Sequence, residues 1–310
     1  MHEHIARAMY YLSVHWLFAS IVGSAAWGLT SILRASATTK YWIWVATAFN
    51  FVLPCGALVD VIWAPHFIWA RPLGAIGGPV WDMTQGRMAV ILGFIWATGG
   101  FFMLGRLISR IRGERRETRA AEPLSDDGLT SSFLADGVPV IFGDAHPGPA
   151  VRGVLSPRIL LPVGIDRLLN PREFHAVLIH ELAHARRRDN LIRLLYEALL
   201  CVLWFHPLVW LAGARIGLYR ELSCDESVIR RAHGRELVSA LAKLAVPKQA
   251  GVLQATASSH LSYRLALLTG PAQRTSRGAS LVLTSLFFAV IAAGIFQTIA
   301  HTACCFVSKR

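Results

Sequence analysis

The chain has 310 residues, of which 54% are hydrophobic and 16% are charged, and its mean hydropathy is +0.45. Ordinary globular domains carry roughly 25% charged residues, so the composition argues against two water-soluble domains and predicts a membrane protein with a water-facing portion. The net charge of +12 and the ten tryptophans fit that class, because spanning helices carry Arg and Lys at their cytoplasmic ends and Trp at the membrane surface. Nucleic-acid binding, the rival explanation of so basic a chain, is set aside because the basic residues cluster beside apolar segments.

Four apolar segments are long enough to span a bilayer: residues 8–33, 41–63, 88–108 and 279–300. A helix rises about 1.5 Å per residue, so about 20 residues cross a hydrocarbon core about 30 Å thick. A cleaved signal peptide is the alternative for the first segment, but that segment is long and no strongly basic stretch precedes it. We therefore expect about four membrane-spanning helices.

Arginines flank the third and fourth segments on the side of the region between them. The flanking residues are Arg106, Arg110, Arg112, Arg115, Arg116, Arg119, Arg274 and Arg277. Because cytoplasmic flanks are enriched in Arg and Lys, residues 111–278 are predicted to be cytoplasmic. The N-terminus and the short tail that ends at residue 310 are then predicted to be extracytoplasmic.

Residues 180–184 read His-Glu-Leu-Ala-His. A helix places His180 and His184 one turn apart on one face, where two neutral imidazoles can bind one zinc ion. In this pattern Glu181 faces a metal-bound water. A chance match in a charged helix is the alternative explanation.

The segment before the motif carries its own helix-start signal. Asn170 is the predicted N-cap, Pro171 takes the first helical position, and Glu173 completes a capping box. Apolar residues then recur at helical spacing, and the helix is expected to run to about Arg188. The motif therefore lies in an independently predicted helix, which favours the zinc site over a chance match.

Two short apolar stretches, residues 138–142 and 154–162, are bounded by turn residues and are predicted to be strands. The prolines in the second stretch predict an edge strand. A strand edge near a zinc site can bind an extended peptide through backbone hydrogen bonds. Two strands of a small structural sheet are an equally good explanation.

The apolar segment after the motif decides on which side of the membrane the rest of the site lies. Residues 191–204 and 208–214 are apolar, and Pro207 separates them. A single span would carry the following residues across the membrane, whereas a zinc site needs its third protein ligand on the side of the two histidines. We therefore predict a membrane-dipping helical hairpin over about residues 190–232, with Gly234 as the C-cap of its second leg.

Glu221 and Asp225 are four residues apart on the predicted second leg, so one helix face presents both carboxylates. One of them can bind the metal while the other accepts the outer N–H of a ligand histidine. We favour Glu221 as the third ligand. The alternatives are Glu226, Asp225, His206 and Cys224, and a solvated charged face is the explanation without function.

Together these features resemble the membrane zinc metallopeptidases of the beta-lactam sensor-transducer (BlaR/MecR, antirepressor) type. Besides the spans and the HELAH motif, the resemblance rests on PRILLP at 157–162, RRD at 187–189, FHPLVW at 205–210 and ELSCD at 221–225. It implies a mainly α-helical polytopic protein of the cell membrane with a cytoplasmic α+β, gluzincin-like zinc peptidase domain. The expected parts are three spans in 1–110, the peptidase domain in 111–278, and the fourth span with its tail in 279–310.

The resemblance also implies the roles of individual residues. By it, His180, His184 and Glu221 bind Zn²⁺, Glu181 is the catalytic base, and Asp225 supports a ligand histidine. Glu181 would accept the proton of the attacking water and pass it to the leaving amine. The candidates for stabilising the oxyanion are Arg220, Tyr219 and His206.

The expected function is zinc-dependent endopeptidase cleavage of a cytoplasmic protein, which the resemblance implies to be a transcriptional repressor. The other expected partner is the lipid bilayer, and no direct contact with nucleic acid is expected. In the sensors a penicillin-binding domain follows the last span, but no Ser-x-x-Lys motif follows residue 279 here, so direct covalent sensing is not expected. The alternatives are a quality-control protease for membrane proteins and a non-catalytic, zinc-stabilised signalling scaffold.

Overall fold

The computed structural model describes residues 2–32, 35–52, 87–120, 122–123, 137–143, 148–231 and 233–244, and single positions between 264 and 287. The end of the second predicted span, the connection 64–86 and most of the fourth predicted span lie outside the described residues. The chain divides into two compact units. The first contains residues 1–103, 199–214 and 275–310, and the second contains 104–198 and 215–274.

Helices dominate the described residues, and a small sheet lies in the second unit. The helices are α1 (His2–Ile32), α2 (Ala37–Asn50), α3 (Arg87–Ala120), α4 (Ile165–Leu168), α5 (Pro171–Arg187), α6 (Asp189–Leu203), α7 (Pro207–Ile229) and α8 (Gly234–Leu244). The strands are β1 (Glu122–Pro123), β2 (Val140–Phe142), β3 (Ala150–Arg152) and β4 (Arg158–Leu161).

One helix in the described part of the chain, Val90–Arg119 within α3, is long and apolar enough to cross a membrane. Only 6% of its most apolar window is buried, and large apolar side chains such as Val90, Phe94 and Phe101 are more than 70% exposed. Exposed apolar side chains along a whole helix are typical of a surface that faces lipid. This helix corresponds to the third predicted span.

The break between α6 and α7 lies at residues 204–206, and Pro207 begins α7, as the sequence predicts. Within the first unit, this break packs against α3. The indole N–H of Trp96 donates to the carbonyl of Val202 at 2.8 Å, and that of Trp204 donates to the carbonyl of Trp96 at 3.0 Å. A Cβ at Gly100 would lie 2.7 Å from the carbonyl oxygen of Cys201, so the two backbones approach more closely than any larger residue allows.

Both legs of the predicted hairpin return to the second unit. Asn190 and Arg193 of α6 and Arg220 and Glu221 of α7 line the same cavity there. The predicted division into two helices with a break before Pro207 is therefore confirmed, and their dip into the membrane stays a prediction. The predicted end of its second leg is wrong: α7 ends at Ile229, and Gly234 begins α8 instead of capping α7.

The sheet has the order β1-β2-β4-β3. β4 pairs in parallel with β2 and antiparallel with β3, so the predicted edge strand is wrong: β4 is an interior strand. The prolines at 157 and 162 lie just outside β4 and therefore remove no hydrogen bond from its ladder. The edge of the sheet next to β4 is formed by β3, which the sequence does not predict.

The motif helix α5 packs its apolar face on the sheet. Its start has the predicted capping box: the Asn170 side chain accepts the backbone N–H of Glu173 at 2.9 Å, and the Glu173 carboxylate accepts that of Asn170 at 2.9 Å. The helix ends where Arg188 adopts a left-handed conformation, with φ of 55°. The core between α5, the sheet and α8 includes Val140, Ile159, Leu161, Phe174, Val177, Leu178, Leu182 and Ala240.

Glu173 also joins α5 to α8, and this gives a pH-dependent prediction. The Lys243 ammonium and the Ser239 hydroxyl donate to its buried carboxylate at 2.7 and 2.6 Å, and Lys243 foremost lowers the pKa of Glu173 from 4.5 to about 2. A lowered folded-state pKa stabilises the fold above the unfolded pKa, and the stabilisation is lost as the pH falls towards 2. We expect Glu173→Gln to lower the urea midpoint of the full chain in micelles at pH 7, and by less at about pH 3.

The matched control is Asp166→Asn, which changes an exposed carboxylate on α4. Asp166→Asn should have the same urea midpoint as the wild type at both pH values. A Glu173→Gln deficit that is as large at about pH 3 as at pH 7 would contradict the assigned ion pair.

Candidate metal centre

Two helices bring three candidate ligand atoms together. α5 presents His180 and His184 on one face, and α7 presents Glu221. The two Nε2 atoms are 3.2 Å apart, and Oε2 of Glu221 lies 3.6 Å from Nε2 of His180 and 3.8 Å from Nε2 of His184. Three ligand-type atoms from distant parts of the sequence thus face one point.

These spacings fit a tetrahedral zinc ion. Ligand atoms about 2.0–2.2 Å from zinc in a tetrahedron lie about 3.3–3.6 Å from one another. The three observed spacings, 3.2, 3.6 and 3.8 Å, bracket that range. Two imidazoles and one carboxylate are also a usual donor set for catalytic zinc, so these residues could hold the ion.

Each histidine presents its other ring nitrogen to a buried carboxylate. Nδ1 of His180 lies 3.1 Å from Oδ1 of Asp225, and Nδ1 of His184 lies 2.6 Å from Oδ2 of Asp189. Both carboxylates are at most 4% exposed. A carboxylate at Nδ1 favours the tautomer with hydrogen there, which leaves the Nε2 lone pair available to a metal.

Each of the three carboxylates also pairs with an arginine. Nε and Nη2 of Arg187 donate to the two oxygens of Asp189, each at 2.6 Å. Nε and Nη2 of Arg264 donate to Asp225 at 2.9 and 2.8 Å. Nε and Nη2 of Arg220 both donate to a single oxygen, Oε1 of Glu221, at 3.1 and 3.0 Å. The other oxygen of Glu221, Oε2, is the one that faces the two histidines.

The pKa shifts report the negative potential at the ligand atoms. Burial opposes protonation of His180, but the carboxylates of Asp225 and Glu221 raise its pKa to about 9. Burial by itself raises the pKa of Glu221, but the two histidines and Arg220 hold that pKa well below its ordinary value. An environment that stabilises a proton on a buried imidazole also favours a metal cation at that place.

The candidate centre opens into a cavity of about 370 Å³. Glu181, which is 8% exposed, lies in the wall beside the two histidines. The edge strand β3 forms another part of the wall through Ala150, Val151 and Arg152. The cavity is therefore large enough to admit part of a substrate next to both the carboxylate and the candidate ligands.

The predicted alternatives for the third ligand occupy other positions. Cys224 lies within 4.8 Å of the two histidine nitrogens, but Nη2 of Arg187 donates to its Sγ at 3.1 Å, and burial raises the pKa of its thiol. Asp225 already faces Nδ1 of His180. Glu226 pairs with Arg230 at the end of α7. Glu221 therefore fits the third position best.

His206 belongs to the first unit, where its Nε2 lies 3.3 Å from the Ser20 hydroxyl. Neither it nor Tyr219 is among the residues that line the cavity. Of the three predicted oxyanion candidates, Arg220 alone lines the cavity in the described part of the chain.

Sequence reasoning missed three supporting residues: Arg187, Asp189 and Arg264. No role at the site is predicted for Arg187 from the sequence, yet its side chain is only 12% exposed. Besides Asp189, Arg187 contacts the Ser223 hydroxyl and the carbonyl of Arg220, so it ties the end of α5 to α7. The signal for Asp189 was present, because it follows the second histidine by five residues, whereas nothing local marks Arg264.

A sequence profile of the family described as BlaR1 peptidase M56 matches residues 11–268. The chain is 39% identical over 82 residues to the regulatory protein BlaR1 of Bacillus licheniformis, which covers 26% of this chain and 14% of that protein. It is 23% identical over 150 residues to the methicillin resistance mecR1 protein of Staphylococcus aureus, which covers 44% of this chain and 24% of that protein. The matched stretches therefore span less than a quarter of either relative.

Arg187 gives a test of the network that joins the two ligand helices. Replacing it with alanine leaves the buried Asp189 carboxylate without its guanidinium, and breaking a buried ion pair in this way costs about 3 kcal/mol. We expect Arg187→Ala to lower the free energy of unfolding by about that amount in urea titrations of the full chain in micelles. Arg186→Ala, an exposed neighbour, is the control and should change it by less than about 0.5 kcal/mol. Equal effects of the two substitutions would show that Arg187 does not hold the helices together.

Proposed function

This chain belongs to the BlaR1 peptidase M56 family, and on that premise we propose that it is a membrane zinc endopeptidase with the ligands His180, His184 and Glu221. The observation that carries the proposal is the mutual spacing of the three ligand atoms, 3.2 to 3.8 Å, from two helices that the hairpin brings together. The carboxylate at Nδ1 of each histidine supports the same assignment.

The residues of the cavity suit peptide hydrolysis. A zinc ion bound there supplies Lewis-acid activation of water and of the scissile carbonyl. Glu181 accepts the proton of the attacking water and returns it to the leaving amine, since its side chain lies beside the ligand histidines in the same cavity. Arg220 lines that cavity and is our candidate for stabilising the oxyanion.

We further propose that the protein is a multi-pass protein of the cell membrane, with the peptidase site on the cytoplasmic side. The support is the arginine-rich flank that follows the apolar part of α3, and the apolar surface that this helix exposes. On this assignment the substrate is a cytoplasmic protein. Within this proposal a transcriptional repressor is the expected substrate, as the family resemblance implies, and the name of one matched relative, a regulatory protein, agrees with a role in signalling.

Metal analysis tests the ligand set. We expect the purified wild type to retain one zinc ion after dialysis, and His184→Ala and Glu221→Ala to lose it, because each change removes one of three protein ligands. Cys224→Ser is the control and should retain zinc. If Cys224→Ser loses the metal while Glu221→Ala keeps it, the cysteine and not the glutamate is the third ligand.

Glu181→Gln separates catalysis from metal binding. The amide cannot accept the proton, so we expect zinc to stay bound while cleavage falls by about 100-fold or more. Comparing the proteins of cells that carry the active or the Glu181→Gln enzyme should reveal one soluble protein that is shortened only with active enzyme. Loss of many unrelated membrane proteins would instead identify quality control, and unchanged cleavage by Glu181→Gln would refute the peptidase mechanism.

A further inference from the structure

Arg264 reaches the candidate metal centre from a part of the chain outside both ligand helices. α5 and α7 end at residues 187 and 229, and α8 ends at residue 244. The Arg264 side chain is nevertheless only 12% exposed and lines the cavity together with the candidate ligands. A third stretch of sequence therefore contributes a buried cation to this centre.

Arg264 makes its two shortest contacts with one carboxylate, that of Asp225. Its Nε and Nη2 donate to the two oxygens of Asp225 at 2.9 and 2.8 Å, and Nη1 lies 3.4 Å from Oε2 of Glu221. Two parallel bonds fix the plane of a carboxylate, which a single bond does not. Oδ1 of Asp225 lies 3.1 Å from Nδ1 of His180 without the alignment of a hydrogen bond, so the plane of Asp225 decides how well the two atoms meet.

The same arrangement occurs at the other histidine. Arg187 fixes Asp189 through two nitrogens, and Asp189 meets Nδ1 of His184. At each histidine, an arginine thus contacts a carboxylate, and that carboxylate contacts the imidazole. The difference lies in the origin of the arginine: Arg187 belongs to the ligand helix α5 itself, whereas Arg264 is supplied from elsewhere in the chain.

We propose that Arg264 is a positioning residue of the metal centre, which holds Asp225 so that Nε2 of His180 is directed at the metal. Full metal affinity then requires residue 264 to be seated beside α7. The proposal rests on the function proposed above, since it takes His180, His184 and Glu221 as the ligands.

The charge of Arg264 and its contact with Asp225 predict opposite effects of a substitution on metal affinity, so the proposal can be tested. Arg264 is a cation 3.4 Å from a ligand oxygen of Glu221, so its charge alone disfavours a second cation, and its removal would tighten metal binding. Its bidentate hold on Asp225 orients His180, so loss of that hold weakens metal binding. Arg264→Gln removes both the charge and the hold, whereas Arg264→Lys keeps the charge and loses the planar two-point contact.

The experiment titrates the metal-free full chain in micelles with Co²⁺, whose visible absorption reports both affinity and ligand geometry. We expect Arg264→Gln and Arg264→Lys each to raise the dissociation constant about 10-fold and to alter the absorption band, as outer partners of metal ligands do. Arg230→Gln, which changes a 61% exposed arginine just after the end of α7, is the control and should match the wild type. If Arg264→Gln fails to fold, the Co²⁺ dissociation constant of Arg264→Lys tests the proposal.

A double-mutant cycle locates the action of Arg264. If Arg264 acts through Asp225, the combination Asp225→Asn with Arg264→Gln should bind Co²⁺ no more than about 2-fold more weakly than Asp225→Asn alone. The positioning role would be overturned if the losses of Co²⁺ affinity in the double variant were additive. It would also be overturned if Arg264→Gln bound Co²⁺ more tightly than the wild type while Arg264→Lys bound it equally well. His184→Ala distinguishes the two proposals: if it binds Co²⁺ as well as the wild type, the ligand assignment itself is wrong.

Discussion

Three carboxylates lie close together around two imidazoles in the second unit. Their need for positively charged or hydrogen-bonding partners determines how the helices of that unit pack. Asp189 and Asp225 are almost fully buried, and Glu221 is 21% exposed. A buried charge without a partner costs several kcal/mol, so each carboxylate must meet cations or donors within hydrogen-bonding distance. The structure satisfies this by placing each between a histidine on one side and an arginine on the other.

That pairing dictates which chain segments meet. Arg187 at the end of α5 reaches the backbone of Arg220 on α7, and Asp225 on α7 reaches His180 on α5. The two helices can approach in this way only because the chain between them turns back at residues 204–206. The capping box at Asn170 and the apolar contacts with the sheet hold α5 in place, so the histidines lie on a rigid element.

Most of the features that the sequence predicts correctly depend on residues close together in the chain. The start of α5 follows from Asn170, Pro171 and Glu173, because capping is decided within one turn. The hairpin follows from a different argument, that Glu221 must reach the two histidines. β3 has only three residues, too few to show an alternation of apolar and polar side chains, although Pro147, Gly148 and Gly153 mark turns on both sides of it. Arg264 acts across 39 residues of sequence from Asp225, and no local pattern predicts a contact over that distance.

The form of the centre favours catalysis over a purely structural metal site. Structural zinc sites are closed by four protein ligands, whereas catalytic sites keep one position open. Arg220 occupies one oxygen of Glu221 and leaves the other to face the histidines, which favours a single carboxylate oxygen as ligand. The nearest further candidate, Cys224, is engaged by Arg187. If His180, His184 and Glu221 hold a zinc ion as proposed, the cavity would leave room for a water and a scissile carbonyl beside Glu181, which would move the proton between them.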